Sequence, residues 1–499
     1  MRLSELFGRA ELPYPSHLGD LEITGIVTDS RKVYEGCLFL CIRGLHSDGH
    51  DHIDSAIQSG ARIIVAEQVR EACVGGAAAI LLHENTRRSA ALLYNAWFNN
   101  PAARLRIIGV TGTNGKTSVC FLLRELFESA GFRCGILGTV LCRSAENTPL
   151  ACLGGRDSTG LTTPDPEDLY QMLDQMVRDR VDYVFMEVSS HALALSKVDA
   201  ISFDTVLFTN LTRDHLDFHG TMEAYFSAKK RLLSLGRRAV INGDDPQIAT
   251  LGREGRTEVL TCSVREGDYL AYEIEHLGME GSDLRIRSPK GDFSLRMRIP
   301  GDFSVMNGLM AAAVALEKGI SHRVIREVFA HSCGVPGRME RVPARGGPRI
   351  LIDYAHTPDA LEKLLMTVRQ LRRPEERIFL LFGCGGERDR GKRKEMGRIA
   401  TRFADLVIVT SDNSRGEDPE RILSDILRGI DKEREYVLIP DRREAIGWAV
   451  KTARQRDWVL LAGKGHETYE IDGTGRHPFD ERVIVKQALE ERNAPSAGQ

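Results

Sequence analysis

The 499-residue chain has no apolar run of 18 residues, so hydropathy offers no membrane-spanning helix. Its first residues, "MRLSELFGRAELPYPS", lack the apolar stretch of a secretory signal. The ten cysteines are scattered, Cys37 and Cys41 included, without a second pair at zinc-finger spacing. Neither a disulfide framework nor a structural zinc site is therefore expected. Net charge is also scarce: 67 basic against 70 acidic residues leave −3, which gives no general attraction to nucleic acid or to an anionic membrane. No internal repeat appears, and the only biased segment is the short tail "ERNAPSAGQ". These absences point to a globular protein in a reducing, cytoplasmic setting, with no nucleic-acid partner and no membrane insertion. Any anionic ligand has to be held by local sites.

The chain is too long for one hydrophobic core, and about 150 residues per domain suggests three α/β domains. Residues 1–99 mix short apolar strands ("GCLFLCI", "ARIIVAE") with the helix-like "HIDSAIQSG". The stretch "WFNNPAARLR" (97–106) then carries an Asn-Asn-Pro break of the kind found in linkers. Residues 100–335 begin strand, glycine loop, helix, and Val119, Leu122, Leu123, Leu126 and Phe127 share one helical face that Gly131 ends. "YVFMEV" and "DTVLFTNL" are apolar enough to be buried parallel strands, while "DLRIRSPKGDFSLRMRI" (283–299) alternates about a turn and reads as a hairpin. Residues 336–499 alternate five apolar strands with four amphipathic helices, a doubly wound pattern whose ligands belong at the strand C-termini.

"GVTGTNGKTS" (109–118) resembles a phosphate-binding loop yet misses the common pattern, which wants glycine where Val110 stands. The physical requirements are met all the same. The loop leaves a buried strand, turns on small residues and delivers backbone N–H groups to a helix start. Lys116 can reach terminal phosphates and Thr117 can offer a hydroxyl to Mg²⁺. The bland alternative is a strand–turn–helix connection that happens to contain Gly-Lys-Thr. Two neighbours weigh against it. "MEVSSH" ends a strand on Glu187, where a metal carboxylate would sit, and "NLTRDHLDFHG" brings Asp214, His215, Asp217 and His219 after the next strand.

"GTNGKTS", "TTPDPEDL", "MEVSSHAL", "NLTRDHLDFHG", "YFSAKKRLL", "INGDD", "PGRMERV", "DYAHTPDAL", "FGCGGERDRGKR", "SDNSRGEDP" and "AGKGHE" follow one another along nearly the whole chain. Together they resemble the Mur ligase family, whose glycine loop departs from the common spacing in this same way. The resemblance implies an N-terminal UDP-binding α/β domain, a central P-loop ATPase domain and a C-terminal Rossmann-like domain. It further implies an ATP-dependent amide ligase of peptidoglycan precursor synthesis that works through an acyl phosphate. The implied substrates are UDP-N-acetylmuramoyl-L-alanyl-D-glutamate and meso-diaminopimelate, with L-lysine as the alternative amine and a monomer as the working unit. A sister ligase or a folylpolyglutamate synthetase would share the ATP loop, but neither is expected to combine "DNSR", "AGKGHE" and "TDSRK". A P-loop switch or motor would release phosphate without either substrate.

Carried over residue by residue, the resemblance places Gly112, Thr113, Asn114, Gly115, Lys116, Thr117 and Ser118 around ATP. Thr117, Glu187 and His215 would serve Mg²⁺, joined by Lys229 of "YFSAKKRLL" as a CO₂-derived carbamate. Asn307, Arg338 and Asp353 match nucleotide-contacting positions; a helix-start cap for Asn307 and an interdomain salt bridge for Arg338 are the bland alternatives. Thr28 and Ser30 of "VTDSRKV", with a second polar turn "GLHSDG" (44–49), would hold the uridine diphosphate. Thr162, Thr163, Ser189 and Lys197 would contact the muramoyl-peptide, Leu195 and Lys197 standing where many relatives have glutamine and arginine. Arg388, Asp412, Asn413, Ser414, Arg415, Gly463 and Glu467 match the amino-acid pocket, with Ser414 in place of the usual proline. A surface pairing of Arg415 with Glu417 or Asp418 is the bland reading there.

Overall fold

The computed structural model describes residues 1–44, 47–68, 78–253, 257–332, 334–344 and 346–493. Among these residues the strands form three large sheets and a separate two-stranded ribbon. The first sheet is parallel throughout, in the order Ile26–Val27, Leu38–Leu40, Ile63–Ala66, Ala79–Leu82. Its middle strands are buried along their whole length, as continuous apolar runs in a covered parallel sheet require.

Helix Thr86–Trp97 closes the first segment, capped by the Asn85 side chain accepting the Arg88 N–H. Asn99 and Asn100 then turn the chain through φ +63° and +51° before Pro101 opens a short 3₁₀ turn. This is the Asn-Asn-Pro break expected from the sequence, but Pro101 and Ala102 are buried, so the connection is packed rather than a loose tether. One apolar cluster runs from Leu3 of the first segment to Leu251 of the second, and helix Thr86–Trp97 lies against helix Pro166–Arg178.

The second sheet has ten strands. Arg106–Thr111 lies in its interior, flanked in parallel by Tyr183–Glu187 and Thr205–Phe208. At one end Tyr269–His276, Ser282–Arg287 and Phe293–Met297 pair antiparallel in sequence, so the expected hairpin extends the main sheet. Both hairpin strands alternate buried and exposed residues.

The last sheet orders Glu340–Val342, Arg349–Asp353, Trp458–Ala462, Ile378–Phe382, Leu406–Val409 and Tyr436–Leu438. All pairs but the first are parallel, with Pro358–Leu371, Gly391–Phe403 and Pro419–Leu427 packed in one apolar cluster and Arg442–Thr452 with Glu481–Asn493 in another. Those two clusters give the doubly wound arrangement. The edge strand Glu340–Val342, the ribbon Tyr469–Asp472 with Gly475–Pro478, and the final helix are additions to the pattern read from the sequence.

Candidate active site

Val110 pairs with Glu187 on one side and Leu207 on the other, and it is fully buried. The strand thus runs past the place where the common phosphate-loop pattern turns. The turn falls instead at Gly112, φ +149°, where a Cβ would lie 1.9 Å from Thr209 Oγ1. Only glycine fits there. Gly115, φ +86°, then forms the N-cap of helix Lys116–Ser129. The Asn210 side chain holds the loop on both sides of one residue: its Oδ1 accepts the Asn114 N–H at 2.9 Å and its Nδ2 donates to the Asn114 carbonyl at 3.0 Å.

Lys116 Nζ donates to the carbonyls of Gly112 and Thr113, both at 2.9 Å. Lys229, on helix Met222–Leu235, reaches the same Gly112 carbonyl at 2.8 Å from a buried position over the Tyr225 ring. Burial and the nearby Lys116 ammonium push the Lys229 pKa well below its ordinary value. Burial also lowers that of Lys116, partly offset by Glu187. Two amines around one carbonyl cannot both stay protonated cheaply.

Glu187 ends its strand beside the loop, where it accepts the Thr117 hydroxyl at 3.0 Å and the Thr139 N–H at 2.9 Å. Thr139 Oγ1 also donates to it at 3.3 Å and lies 3.0 Å from the Thr162 hydroxyl. Thr163 Oγ1 donates to the Glu187 carbonyl and accepts the Ser189 N–H, so Thr117, Thr162, Thr163, Glu187 and Ser189 are gathered on one rim. Lys197 lies close by, paired with Asp165 at 2.7 Å.

His215 is placed differently. It contacts Asp214 at 3.4 Å and the His191 ring at 4.8 Å, in a cluster with His219 and Tyr225 rather than on Glu187. Among the described residues no three His, Cys, Asp or Glu side chains are arranged to hold a metal. The oxygen donors Thr117 and Glu187 are together, whereas His215 contacts Asp214 and Lys229 the Gly112 carbonyl. Hard oxygen donors of this kind suit Mg²⁺.

Asn307 lies inside helix Asp302–Glu317, which rules out the helix-start cap considered from the sequence, and its Oδ1 is 2.6 Å from where a Gly115 Cβ would be. Arg338 stacks over Tyr354 at 4.7 Å and makes no ion pair among the described residues, so the salt-bridge alternative does not hold. Asp353 accepts the N–H groups of Met339 and Ala355 at 2.7 and 2.8 Å. Burial raises its pKa, against the pull of Arg338. Thr28 is exposed at the end of Ile26–Val27, and Ser30 opens a 3₁₀ turn that Asp29 caps. Residues 45 and 46 of the second polar turn lie outside the described residues.

A second group of polar residues sits at the C-terminal ends of the last sheet. Arg415 Nη1 donates to the Gly386 carbonyl at 2.8 Å and makes no ion pair among the described residues. The carboxylates offered as its surface partners are engaged elsewhere: Glu417 accepts from both Nη atoms of Arg393, and Asp418 caps helix Pro419–Leu427. Arg388 is exposed, its stem 3.9 Å from the Cβ position of Gly385, which Arg415 Nη1 approaches to 2.9 Å. Asn413 Nδ2 donates to Glu467 Oε2 at 2.7 Å. Burial and the neighbouring Asp412 raise the Glu467 pKa. For Asp412 itself, burial would raise the pKa, but Lys464 and Arg442 outweigh it and hold it low. Gly463, φ +116°, leaves no room for a side chain beside the Asp412 carboxylate. Ser414 is buried and its turn is held by backbone bonds, Glu417 N–H to the Ser414 carbonyl and Arg415 N–H to that of Ile471.

Thr139, Asn210, Tyr225 and Asp359 were not singled out from the sequence. Thr139 and Asn210 follow buried strands and were open to discovery on that ground; Asp359 had no local signal.

Residues 22–107, 110–315 and 337–465 match in turn the Mur ligase family catalytic domain, the Mur ligase middle domain and the Mur ligase glutamate ligase domain. The chain is 39% identical over 502 residues to the UDP-N-acetylmuramoyl-L-alanyl-D-glutamate--2,6-diaminopimelate ligase of Geobacillus kaustophilus, covering 99% of this chain and 100% of that one. The chain belongs to the Mur ligase family. The ligase of the same description from Syntrophomonas wolfei is 38% identical to this Mur ligase, over 98% of this chain and 99% of its own length. A solved structure of such a 2,6-diaminopimelate ligase, 31% identical, superposes with a TM-score of 0.69 over 99% of this chain and 100% of that chain. MurF from Acinetobacter baumannii, at 18% identity and a TM-score of 0.62 over 98% of each chain, shares the fold. Mur ligases are ATP-dependent and use Mg²⁺.

Proposed function

We propose that this Mur ligase joins meso-diaminopimelate to the D-glutamyl carboxylate of UDP-N-acetylmuramoyl-L-alanyl-D-glutamate, with ATP converted to ADP and phosphate. The observation that carries the choice of amine is Arg415, a half-buried guanidinium with no carboxylate partner among the described residues, close to Glu467. Diaminopimelate differs from lysine by a carboxylate beside the distal amine. Arg415 suits that carboxylate, Glu467 suits the ammonium, and Arg388, Asp412, Asn413, Ser414 and Gly463 complete the pocket.

The chemistry follows from the loop. A carboxylate is a poor acyl donor, so the γ-phosphoryl group passes to it: the bond to ADP breaks and a carboxyl–phosphate bond forms. The incoming amine attacks the carbonyl carbon, loses its proton and expels phosphate. The backbone N–H groups of Gly112–Ser118 and the Lys116 ammonium neutralise charge along this path, while Asn307, Arg338 and Asp353 place the nucleotide. Thr117, Glu187 and His215 would hold Mg²⁺, which would supply charge neutralisation for phosphoryl transfer. Lys229 joins them as a carbamate; burial lowers its pKa, which favours the neutral amine that adds to CO₂. Thr162, Thr163, Ser189 and Lys197 orient the muramoyl-peptide, and Thr28 and Ser30 the uridine diphosphate. On this reading the enzyme works as a cytoplasmic monomer.

The test compares kcat/KM for diaminopimelate and lysine in the wild type and in Arg415→Ala. Leaving this half-buried arginine without its carboxylate costs about 2 kcal/mol, the low end of the range for such pairs, so the wild type is expected to prefer diaminopimelate by about 30-fold. The variant is expected to lose that preference. Equal use of lysine by the wild type, or an unchanged preference in the variant, refutes the assignment.

A further inference from the structure

Lys464 is fully buried beneath the amino-acid pocket, and the chemistry above makes no use of it. Its Nζ donates to Asn413 Oδ1 at 2.9 Å and to the Tyr469 carbonyl at 3.1 Å. The nearest carboxylate oxygen given to it, Asp412 Oδ1, is 3.9 Å away, and the Phe479 ring centroid lies at 5.2 Å. Burying an ammonium on neutral acceptors is an expensive way to brace a fold. What it does to Asn413 is more specific.

Asn413 Oδ1 also accepts the Ile471 N–H at 2.9 Å. An ammonium and a backbone N–H can only donate. Both converge on the same carboxamide atom, so that atom is oxygen and the amide NH₂ points the other way, where Nδ2 meets Glu467 Oε2 at 2.7 Å. A flipped carboxamide would set two donors against its NH₂ and turn its oxygen toward a carboxylate. The Tyr469 carbonyl that shares Lys464 belongs to the ribbon Tyr469–Asp472, whose Ile471 carbonyl accepts the Arg415 N–H at 3.1 Å. One buried amine therefore stands behind the pocket's anion, through Asn413, while the ribbon holds the backbone of its cation by a hydrogen bond of its own.

We propose that Lys464 is a positioning residue for amine recognition: it fixes the Asn413 carboxamide, which in turn aims the Glu467 carboxylate at the distal ammonium of the incoming amino acid. The inference rests on the reading of this pocket as the amino-acid site. It says that Lys464 acts on the amino acid only through Asn413.

A double-mutant cycle tests it on the full-length enzyme, using the amino acid that the wild type accepts. Lys464→Met is expected to raise KM for that amino acid at least 10-fold, with KM for ATP and for the UDP-dipeptide within about twofold of wild type. In an Asn413→Ala background the same change is expected to alter the amino-acid KM less than twofold. Multiplicative effects in the cycle, an unchanged amino-acid KM, or an equal rise in all three KM values overturns the proposal. Should Lys464→Met fail to fold, Lys464→Leu, which likewise has no N–H donor, runs through the same cycle with the same outcomes. A wild type that needs neither UDP-dipeptide nor amino acid for phosphate release defeats the functional reading instead, independently of Lys464.

Discussion

Lys116 and Lys229 share the Gly112 carbonyl, yet their surroundings prepare them for different tasks. Among the described residues Lys116 hydrogen-bonds only carbonyls of its own loop, contacts that a phosphate would replace with a charge-assisted bond. Because backbone and Asn210 shape the loop, Lys116→Ala is expected to leave the melting temperature within a few degrees of wild type. Turnover should fall by about 10²–10³-fold or more, the scale of losing one preorganised charge partner; near-normal turnover in a coupled phosphate-release assay would end the assignment. Lys229 is buried against Tyr225 and the loop, where a cation is disfavoured and an oxygen ligand would serve Mg²⁺. Lys229→Ala is expected to lose most activity and to regain part of it when formate or acetate is added. No response to either carboxylate would count against a carbamate there.

At the scale of elements, the loop 412–415 is held from both sides. The ribbon Tyr469–Asp472 takes its backbone, and the Arg393–Glu417 pair takes the carboxylate that would otherwise neutralise Arg415. Arg393 is fully buried and hydrogen-bonds both Glu417 oxygens, at 2.9 and 2.7 Å, which holds the Glu417 carboxyl down at about 2. That folded value lies below the unfolded value of about 4.3. The pair therefore contributes stability above the unfolded value, and that contribution is lost as pH falls through the folded one. Glu417→Gln should melt several degrees below wild type at pH 7, with the gap closing as pH drops from about 4 toward 2. A gap that stays constant through that window would show that the pair's charge is not what stabilises the loop.

Across the whole molecule, the last segment is seated on the central one by few contacts. The turn Gly278–Glu280 places Met279 against the apolar cluster of the last domain. Asp359, in the first turn of helix Pro358–Leu371, accepts Asn114 Nδ2 at 2.9 Å and Thr212 Oγ1 at 3.2 Å. It thereby links the phosphate loop, the loop after the next strand and the domain that carries the amino-acid pocket. A hydrogen bond to a charged group is worth about 1.5–3 kcal/mol, so Asp359→Ala is expected to lower kcat/KM for ATP about 10-fold. Proteolysis between the two domains should quicken at the same time. Unchanged kinetics and unchanged proteolysis would mean that the seating does not depend on Asp359.

Much of this architecture is carried by local pattern. The five apolar runs of the last domain are its five parallel strands, and the stripe from Val119 to Phe127 is the buried face of its helix, because period and burial are set by neighbours a few residues apart. The positions of Lys116 at a helix start and Glu187 at a strand end were legible for the same reason, whereas Arg415 and Glu467 were singled out by the family resemblance. What the chain alone left open depends on partners far along it. The ribbon 469–478 was missed because Gly475–Pro478 is polar and exposed throughout, without an alternating face. Nothing local marks Asp359 as a partner of Asn114, 245 residues away, or Lys464 as the donor that orients Asn413, 51 residues away. Residue types and periodicity determined the elements and the chemical groups at their ends. Which of those groups meet, and which way a carboxamide faces, was decided only when the packed sheets brought their ends together, since a hydrogen bond's direction depends on every donor around it.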